Sequence, residues 1–175
     1  PAEGNSDAIL AINIETGTRA WTKQTTSGDA WNVACMMADN PNCPSEDGPD
    51  YDHGSSILLV SGADKRDVLL AGLKNGDVLG LDPDDEGKTI WRTKVGRGSI
   101  QGGVHFGMAA SNSQVFVPIN DMNNTRNGDY LDPAEAQPGL HSLRVDDGSI
   151  VWNHVQENVC APNKDFCDPG ISAPV

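Results

Sequence analysis

Apolar and polar positions over Asp67–Val95 follow a pattern that predicts three antiparallel strands joined by two tight turns. The first strand is apolar on both faces, as expected for a strand inside an all-β protein. Asn75-Gly76 favours a two-residue type I′ turn after it, because both central residues of that turn take positive φ. The predicted strands are Val68–Lys74, then Asp77–Asp82 with Leu79 and Leu81 on one face, and Lys88–Val95 with Trp91.

The ending of this meander occurs three times along the chain. In each copy a glycine lies four residues before a tryptophan: the copies are Leu10–Trp21, Leu79–Trp91 and His141–Trp152. The glycine serves the turn, and the tryptophan is expected to pack the outermost strand against the next unit. Such a repeat predicts an all-β fold, the arc of a β-propeller whose units are four-stranded blades.

Counting back from each tryptophan predicts two complete four-stranded blades and two partial ones, a single propeller segment over 1–175 of a longer protein. The chain begins at Pro1 without a basic and then apolar leader. The innermost strand of the second complete blade is predicted over Val104–Ala110. The parts are a partial blade 1–34, an interblade cysteine loop 35–54, a blade 55–98, a blade 99–157 with an insertion 121–139, a cysteine loop 158–169 and the start of a further blade 170–175.

The long connecting segments are all predicted to lie on one side of the arc. Strand direction alternates within a blade, so the turn between its second and third strands shares one face with the connections between blades. The segments on that face are Trp31–Gly54, Asp121–Gly139 and Asn158–Pro169. We call it the loop-bearing face and expect the functional site there, because loops on a rigid scaffold usually carry binding and chemistry.

Charge excludes two classes of partner. The chain has 25 acidic and 12 basic residues, a net charge of −13, which would repel nucleic acid and anionic membranes. Solubility in a salty or extracellular setting is sufficient to explain this acidity. No run of 18 apolar residues occurs, so no membrane span is predicted.

The four cysteines form two local pairs, Cys35/Cys43 and Cys160/Cys167. Neither spacing is CxxC, and no histidine lies at zinc-finger distance, which argues against a zinc site; no CxxCH haem motif occurs either. Two short disulfide loops fit better and imply an oxidising compartment, so that the protein would be periplasmic or secreted. The alternative is four reduced cysteines in a cytosolic protein.

The repeat ending resembles that of the pyrroloquinoline quinone (PQQ) repeat, AxDxxTGxxxW. Ala11, Thr16, Gly17 and Trp21 match it, with Asn13 where aspartate is usual. The stretches Gly48–Ser56, Gly98–Ala109 and Cys167–Val175 resemble the polyvinyl-alcohol-dehydrogenase-like branch of quinoproteins more closely still. That resemblance implies a periplasmic, eight-bladed enzyme that holds PQQ and calcium at the top of its central channel.

By the same resemblance the protein would be a PQQ-dependent alcohol dehydrogenase that oxidises hydroxyl groups of an alcohol or polyol, with a small or polymeric substrate and a cytochrome c as electron acceptor. This segment alone is not expected to be active. The alternative is a non-enzymatic PQQ-repeat propeller that serves as a periplasmic protein-binding scaffold of the outer-membrane assembly type. The sequence identifies no catalytic residue, since it contains neither a Trp-Gly-Arg-Asp stretch nor a vicinal cysteine pair.

Residues that enter the innermost strands are the candidates for cofactor binding. Gln101 and His105 could donate hydrogen bonds to a flat tricarboxylate such as PQQ, and Gly103 would let backbone approach its ring. Trp31 is a further candidate, because Gly28–Asn32 resembles a degraded His-Asp-x-Trp-Asp motif. The structural alternatives are that His105 satisfies a backbone carbonyl, that the glycine relieves crowding and that Trp31 covers a blade junction.

The insertion is rich in oxygen ligands of the kind that calcium prefers. Its spacing is not that of an EF-hand, so a polar surface loop is the alternative to a calcium site. The candidate ligands are Asp121, Asn123, Asn124, Asn127, Asp129 and Asp132.

Overall fold

The computed structural model describes residues 5–62, 64–121, 135–157 and 170–175. Within these ranges the regular structure is mainly β, and a 3₁₀ helix spans Val33–Met36. No helix in the described part of the chain is long and apolar enough to cross a membrane. The strands are β1 Ala8–Ile12, β2 Arg19–Gln24, β3 Leu58–Ser61, β4 Asp67–Gly72, β5 Asp77–Asp82, β6 Lys88–Lys94, β7 Ala109–Ala110, β8 Gln114–Ile119, β9 Gly139–Arg144 and β10 Ile150–Val155.

The strands form two four-stranded antiparallel sheets and one two-stranded sheet. One sheet has the order β3-β4-β5-β6, the second has β7-β8-β9-β10, and β1 pairs with β2. Each strand therefore pairs with the next one along the chain, which is the meander of a propeller blade. The predicted propeller arc is confirmed. The cysteine loop 158–169, with the predicted Cys160–Cys167 disulfide, lies outside the described residues.

The turn between β4 and β5 is not the predicted type I′ turn. Of its residues, Gly76 has a positive φ of 83° and Asn75 does not. The Gly76 N–H donates to the Leu73 carbonyl at 3.0 Å, so Lys74–Gly76 form a three-residue loop, the kind built from a type I turn followed by a left-handed glycine. Asn75 favours this form because its side chain accepts the Asp77 N–H at 2.9 Å. The change places Lys74 within the turn.

The innermost strand of the second blade is much shorter than the predicted Val104–Ala110, since β7 has only two residues. The residues before it bond to the preceding blade: the Val104 N–H donates to the Leu73 carbonyl at 3.0 Å. The next connection repeats this contact, with the Ile171 N–H donating to the Ile119 carbonyl at 3.1 Å. At both connections, therefore, backbone N–H groups that precede the innermost strand bond to the preceding blade, and the chain joins its own sheet only afterwards.

Two hydrophobic clusters fill the spaces between sheets. The larger one joins the two complete blades and contains Val68, Val78 and Trp91 from the first with Val117 and Leu143 from the second. The smaller one joins the partial blade to the first complete blade, with buried members Ile9, Ala71, Leu73, Leu79 and Leu81. The prediction that Leu79 and Leu81 share one face is confirmed.

The repeat tryptophans pack on the glycine of the next copy. A Cβ at Gly87 would lie 2.9 Å from Cζ3 of Trp21, and one at Gly148 would collide with the indole of Trp91. The Trp91 Nε1–H also donates to the Val145 carbonyl at 2.8 Å. Gly87 and Gly148 therefore leave the space that the preceding copy's tryptophan fills, and the prediction that the tryptophan packs against the next unit is confirmed for Trp21 and Trp91.

Candidate functional site

The loop-bearing face is organised around the turn Lys74–Gly76. The connection 96–103 to the next blade lies directly on this turn, so that a Cβ at Gly103 would collide with the Lys74 carbonyl and one at Gly98 with the backbone of Asn75. The space left by each missing side chain is thus filled by the chain's own backbone. This contact is the structural alternative given above for Gly103, and its role toward a cofactor stays a prediction.

Lys74 is the centre of a charged cluster on this face. Its ammonium lies 2.8 Å from the Asp50 carboxylate and 2.6 Å from that of Asp52. The side chains of Lys74 and Asp50 are 11% and 13% exposed, whereas Asp52 is 49% exposed and reaches solvent. Although burial opposes its charge, hydrogen bonds to the two aspartates raise the pKa of Lys74 above its ordinary value.

The carboxyl groups of this cluster differ in proton affinity. Burial raises the pKa of Asp50, with Lys74 opposing. Burial also works against an ionised Asp52, but hydrogen bonds from Lys74 and Asp7 hold the pKa of Asp52 below its usual range. The pKa of Asp7 is raised to about 7 by burial and then by its hydrogen bond to Asp52 and that carboxylate's charge. Asp7 can therefore hold and release a proton near neutral pH, beside the Asp52 carboxylate.

Two histidines border the cluster. His105 is 8% exposed, its Nδ1 lies 3.3 Å from the Gln101 carbonyl, and its ring stacks on Phe106 with centroids 4.4 Å apart. His53 Nε2 lies 2.8 Å from the Thr25 hydroxyl. Burial lowers the pKa of both imidazoles and so favours their neutral forms. The His105 contact agrees with its structural alternative, and its role in cofactor binding stays a prediction.

The structure brings three of the four predicted site residues, Gln101, Gly103 and His105, into the connection between the complete blades. Trp31 is half-buried in a different segment, between β2 and the 3₁₀ helix. The part of the chain that follows Trp31 contains the predicted Cys35–Cys43 disulfide, which is formed, with an S–S distance of 2.03 Å.

In the described ranges, one group of three side chains has the donor atoms and proximity to hold a metal ion: Cys35, Cys43 and Asp47. Its two sulfurs are joined in the disulfide and are not available as thiolate ligands. Among the described residues, no other group of three His, Cys, Asp or Glu side chains lies close enough together to hold a metal ion.

Asp121, a candidate calcium ligand in the sequence, has another use. It is fully buried, and its two oxygens accept four backbone N–H groups, from Arg97 at 2.6 Å, Gly98 at 3.0 Å, Gly103 at 3.3 Å and Gln137 at 3.0 Å. The carboxylate thus joins the interblade connection to the chain just before β9. The other candidates in the insertion lie outside the described residues: Asn123, Asn124, Asn127, Asp129 and Asp132.

Sequence reasoning missed Arg97. Its residue is 4% exposed, yet Nε and Nη1 are shielded from water without a hydrogen-bond partner. The signal that could have found it is local, because Val95–Gly98 reads VGRG, a lone arginine between glycines in an acidic chain. An arginine held in so tight a connection is positioned by backbone rather than by a surface ion pair.

Comparison with known proteins agrees with this architecture. No model of a protein family matches the chain. Over 171 residues, 97% of its length, it is 39% identical to a polyvinylalcohol dehydrogenase from Pseudomonas sp, and over 172 residues it is 31% identical to one from Sphingopyxis sp. (strain 113P3). Throughout its length, the chain is similar to polyvinylalcohol dehydrogenases. The resemblance predicted from the repeat is confirmed.

The chain spans about a quarter of the length of these two polyvinylalcohol dehydrogenases, 25% of each. Among solved structures, it resembles a europium-containing methanol dehydrogenase with a TM-score of 0.51 and 11% identity, over 87% of this chain and 22% of that one. At that identity the likeness shows the fold alone. A likeness to BamB from Moraxella catarrhalis has a TM-score of 0.39, which is too low to argue from.

Proposed function

We propose that the chain forms part of a PQQ-dependent alcohol dehydrogenase that oxidises hydroxyl groups of an alcohol or polyol. The observation that carries the proposal is the 39% identity to a polyvinylalcohol dehydrogenase along 97% of the chain. The position of the charged cluster on the loop-bearing face supports it, since shifted pKa values gather at functional sites. When bound, PQQ supplies the acceptor for the two electrons of the alcohol.

The described residues offer donors for a carboxylate of such a cofactor, whereas the ligands of calcium would come from other residues of the protein. Within the described residues, Nε and Nη1 of buried Arg97 have no acceptor, and such donors suit a carboxylate. Asp52, ionised and half-exposed, together with Asp7 can take up a proton beside the site. Calcium is proposed from the family resemblance, with its ligands outside the residues that the structure describes.

Location and partners are proposed on narrower grounds. The Cys35–Cys43 disulfide supports an oxidising compartment, so we place the protein in the periplasm or outside the cell. A small or polymeric alcohol as substrate and a cytochrome c as electron acceptor follow from the family resemblance alone. The non-enzymatic scaffold is the competing function, and no observation on the described residues favours it.

The test uses the full-length gene product, incubated with PQQ and calcium, and follows reduction of an artificial dye with short alcohols, diols and polyvinyl alcohol. We expect dye reduction that requires both PQQ and an alcohol. The matched control is the same protein without PQQ. A protein that neither binds PQQ nor reduces the dye with any of these alcohols would contradict the proposal and favour the scaffold.

A further inference from the structure

The segment that contains the 3₁₀ helix presents apolar side chains to solvent. Val33, Met36 and Met37 are 68%, 71% and 56% exposed. Val33 and Met36 are three residues apart in the 3₁₀ helix, where side chains at that spacing lie one above the other, and Met37 follows directly. Together they form an exposed apolar surface, which we call the loop patch.

Exposed apolar side chains on the last strand have an explanation that does not apply to the loop patch. Ile150, Trp152 and Val155 are exposed on β10, the outermost strand of the second complete blade. A neighbouring blade of a propeller covers such a sheet face, as the second blade covers Trp91 of the first. The loop patch lies on a helix outside the sheets, so packing of blade on blade does not account for it.

Hydrogen bonds and a disulfide order the loop patch. The Asn32 side chain accepts the Ala34 N–H at 2.8 Å, and its amide donates to the Asn42 carbonyl at 3.1 Å. The Cys35–Cys43 disulfide joins the same two parts of the segment. A surface that is already ordered loses less conformational entropy when a partner binds, which favours association through only a few side chains.

The charge around the loop patch determines which kind of partner fits it. Trp31–Gly54 contains five acidic residues and neither lysine nor arginine. Asp39 and Asp47 are exposed, and Lys74, which contacts the end of the segment, is already paired with two of its acids. An apolar patch within a negative surface is complementary to an apolar patch within a positive one.

We infer that the loop patch is the docking surface for a cytochrome c with a basic surface, which accepts the electrons of the reaction. This inference rests on the proposed function and adds to it the surface and the charge of the acceptor. Electron-transfer partners associate through small interfaces and separate quickly, and three exposed side chains among acids suit such a contact. Oxidation of a hydroxyl group to a carbonyl releases two electrons and two protons, so each turnover reduces two ferric haem groups to ferrous in successive encounters.

The experiment uses the full-length protein with PQQ and calcium, and a basic c-type cytochrome as the probe. The double variant Met36→Gln/Met37→Gln removes apolar surface at similar side-chain length. The double variant Asp39→Asn/Asp47→Asn removes two negative charges and keeps the side-chain shape. The readouts are the Kd for the cytochrome at about 0.01 M and about 0.15 M ionic strength, the rates of cytochrome and dye reduction, and the melting temperature of the protein alone.

The matched controls lie on the opposite face of the arc. Ile14→Gln changes a side chain that is 97% exposed in the turn between β1 and β2. Asp84→Asn changes an exposed acid in the turn between β5 and β6. Both controls should bind and reduce the cytochrome as the wild type does, because strand alternation puts these turns away from the loop-bearing face.

We expect Met36→Gln/Met37→Gln to weaken cytochrome binding by about 10-fold at both ionic strengths, since salt does not screen apolar contacts. Asp39→Asn/Asp47→Asn should weaken it by about 3- to 10-fold at the lower ionic strength and by much less at the higher one. Dye reduction and the melting temperature should stay at the wild-type values in both variants, because the changed side chains are exposed.

Three results would overturn the inference: a wild type that does not bind the basic cytochrome, unchanged cytochrome affinity in Met36→Gln/Met37→Gln, or equal losses in the controls. A lower melting temperature with unchanged affinity would mean that another part of the same chain covers the loop patch. Loss of a dimer on gel filtration with unchanged affinity would mean that a second copy does.

Failure of the proposed function gives a different result. A wild type that reduces the dye with no alcohol contradicts the dehydrogenase, and the Kd for the cytochrome then decides the docking surface separately. Affinity that is lost in the two loop variants and kept in the two controls would retain the loop patch as a surface for a basic protein. Affinity that is the same in all four variants would reject it.

Discussion

The junction between the two complete blades and the loop-bearing face at its end differ in how well their buried groups are satisfied. At the junction, Trp91 is 8% exposed, its N–H is bonded to Val145, and Gly148 leaves the space that its ring fills. On the face, Arg97 is buried without an acceptor, and Asp7 has a pKa raised to about 7. At the junction the indole N–H of Trp91 is paired and its ring fills the available space, whereas on the face Arg97 and Asp7 carry groups that the described residues leave unsatisfied.

The largest expected effect is at the junction. Trp91→Ala removes a buried indole and its hydrogen bond to Val145 and should reduce the free energy of unfolding by about 3–5 kcal/mol. Urea unfolding measures the loss. Leu59→Ala, at a residue 64% exposed, is the control and should cost far less. Equal losses in the two variants would show that the junction is not where stability is concentrated.

The next effect connects the two regions. Asp121→Asn replaces an acceptor of four backbone N–H groups by an amide that presents its own donors, and should reduce the free energy of unfolding by about 2–4 kcal/mol. Hydrogen exchange should accelerate at the amides of Arg97, Gly98 and Gly103. Asp64→Asn, on a side chain 58% exposed, should change neither quantity. Unchanged hydrogen exchange in Asp121→Asn would show that the Asp121 carboxylate does not keep the interblade connection ordered.

A smaller effect is expected from the disulfide on the face. Replacing Cys35 and Cys43 together by serine opens a loop closed over a separation of 8 residues and should reduce the free energy of unfolding by about 2–3 kcal/mol. Chemical denaturation with and without a reductant measures it, since the reductant should destabilise the wild type and leave this loop of the double variant unaffected. A wild type that is insensitive to reductant would argue that the disulfide is not formed in solution.

The smallest effect depends on pH. The pKa of Asp7 is about 7 in the folded chain against an ordinary 3.8, so the stability contributed by its protonated form is full below the ordinary value and is lost as the pH rises toward 7. Asp7→Asn mimics the protonated acid at every pH, so the variant keeps this stability as the pH rises. The melting temperature of the variant relative to the wild type should therefore be higher at pH 8 than at pH 5. The same difference at both pH values would contradict the raised pKa.

The sequence by itself determined the blade and its repetition. Alternating side chains define a strand over a few residues, and the recurrent spacing of Gly87 and Trp91 belongs to one strand and its turn, so these features are local. The side on which the long loops fall follows from strand alternation. The Cys35–Cys43 pair is close enough in sequence to be predicted as a disulfide, whereas the roles of Gln101, Gly103 and His105 toward a cofactor stay predictions.

Only the tertiary structure decided how that connection and the turn beneath it are used. Lys74 meets Asp50 and Asp52 across separations of 24 and 22 residues, and Asp121 accepts the Arg97 N–H across 24. Strand periodicity says nothing about such encounters, because they depend on how one blade's connection lies against the neighbouring blade's turn. Whether a charged side chain is paired, as Lys74 is, or buried without an acceptor, as Arg97 is, depends on the positions of all surrounding donors and acceptors and is therefore fixed only by packing.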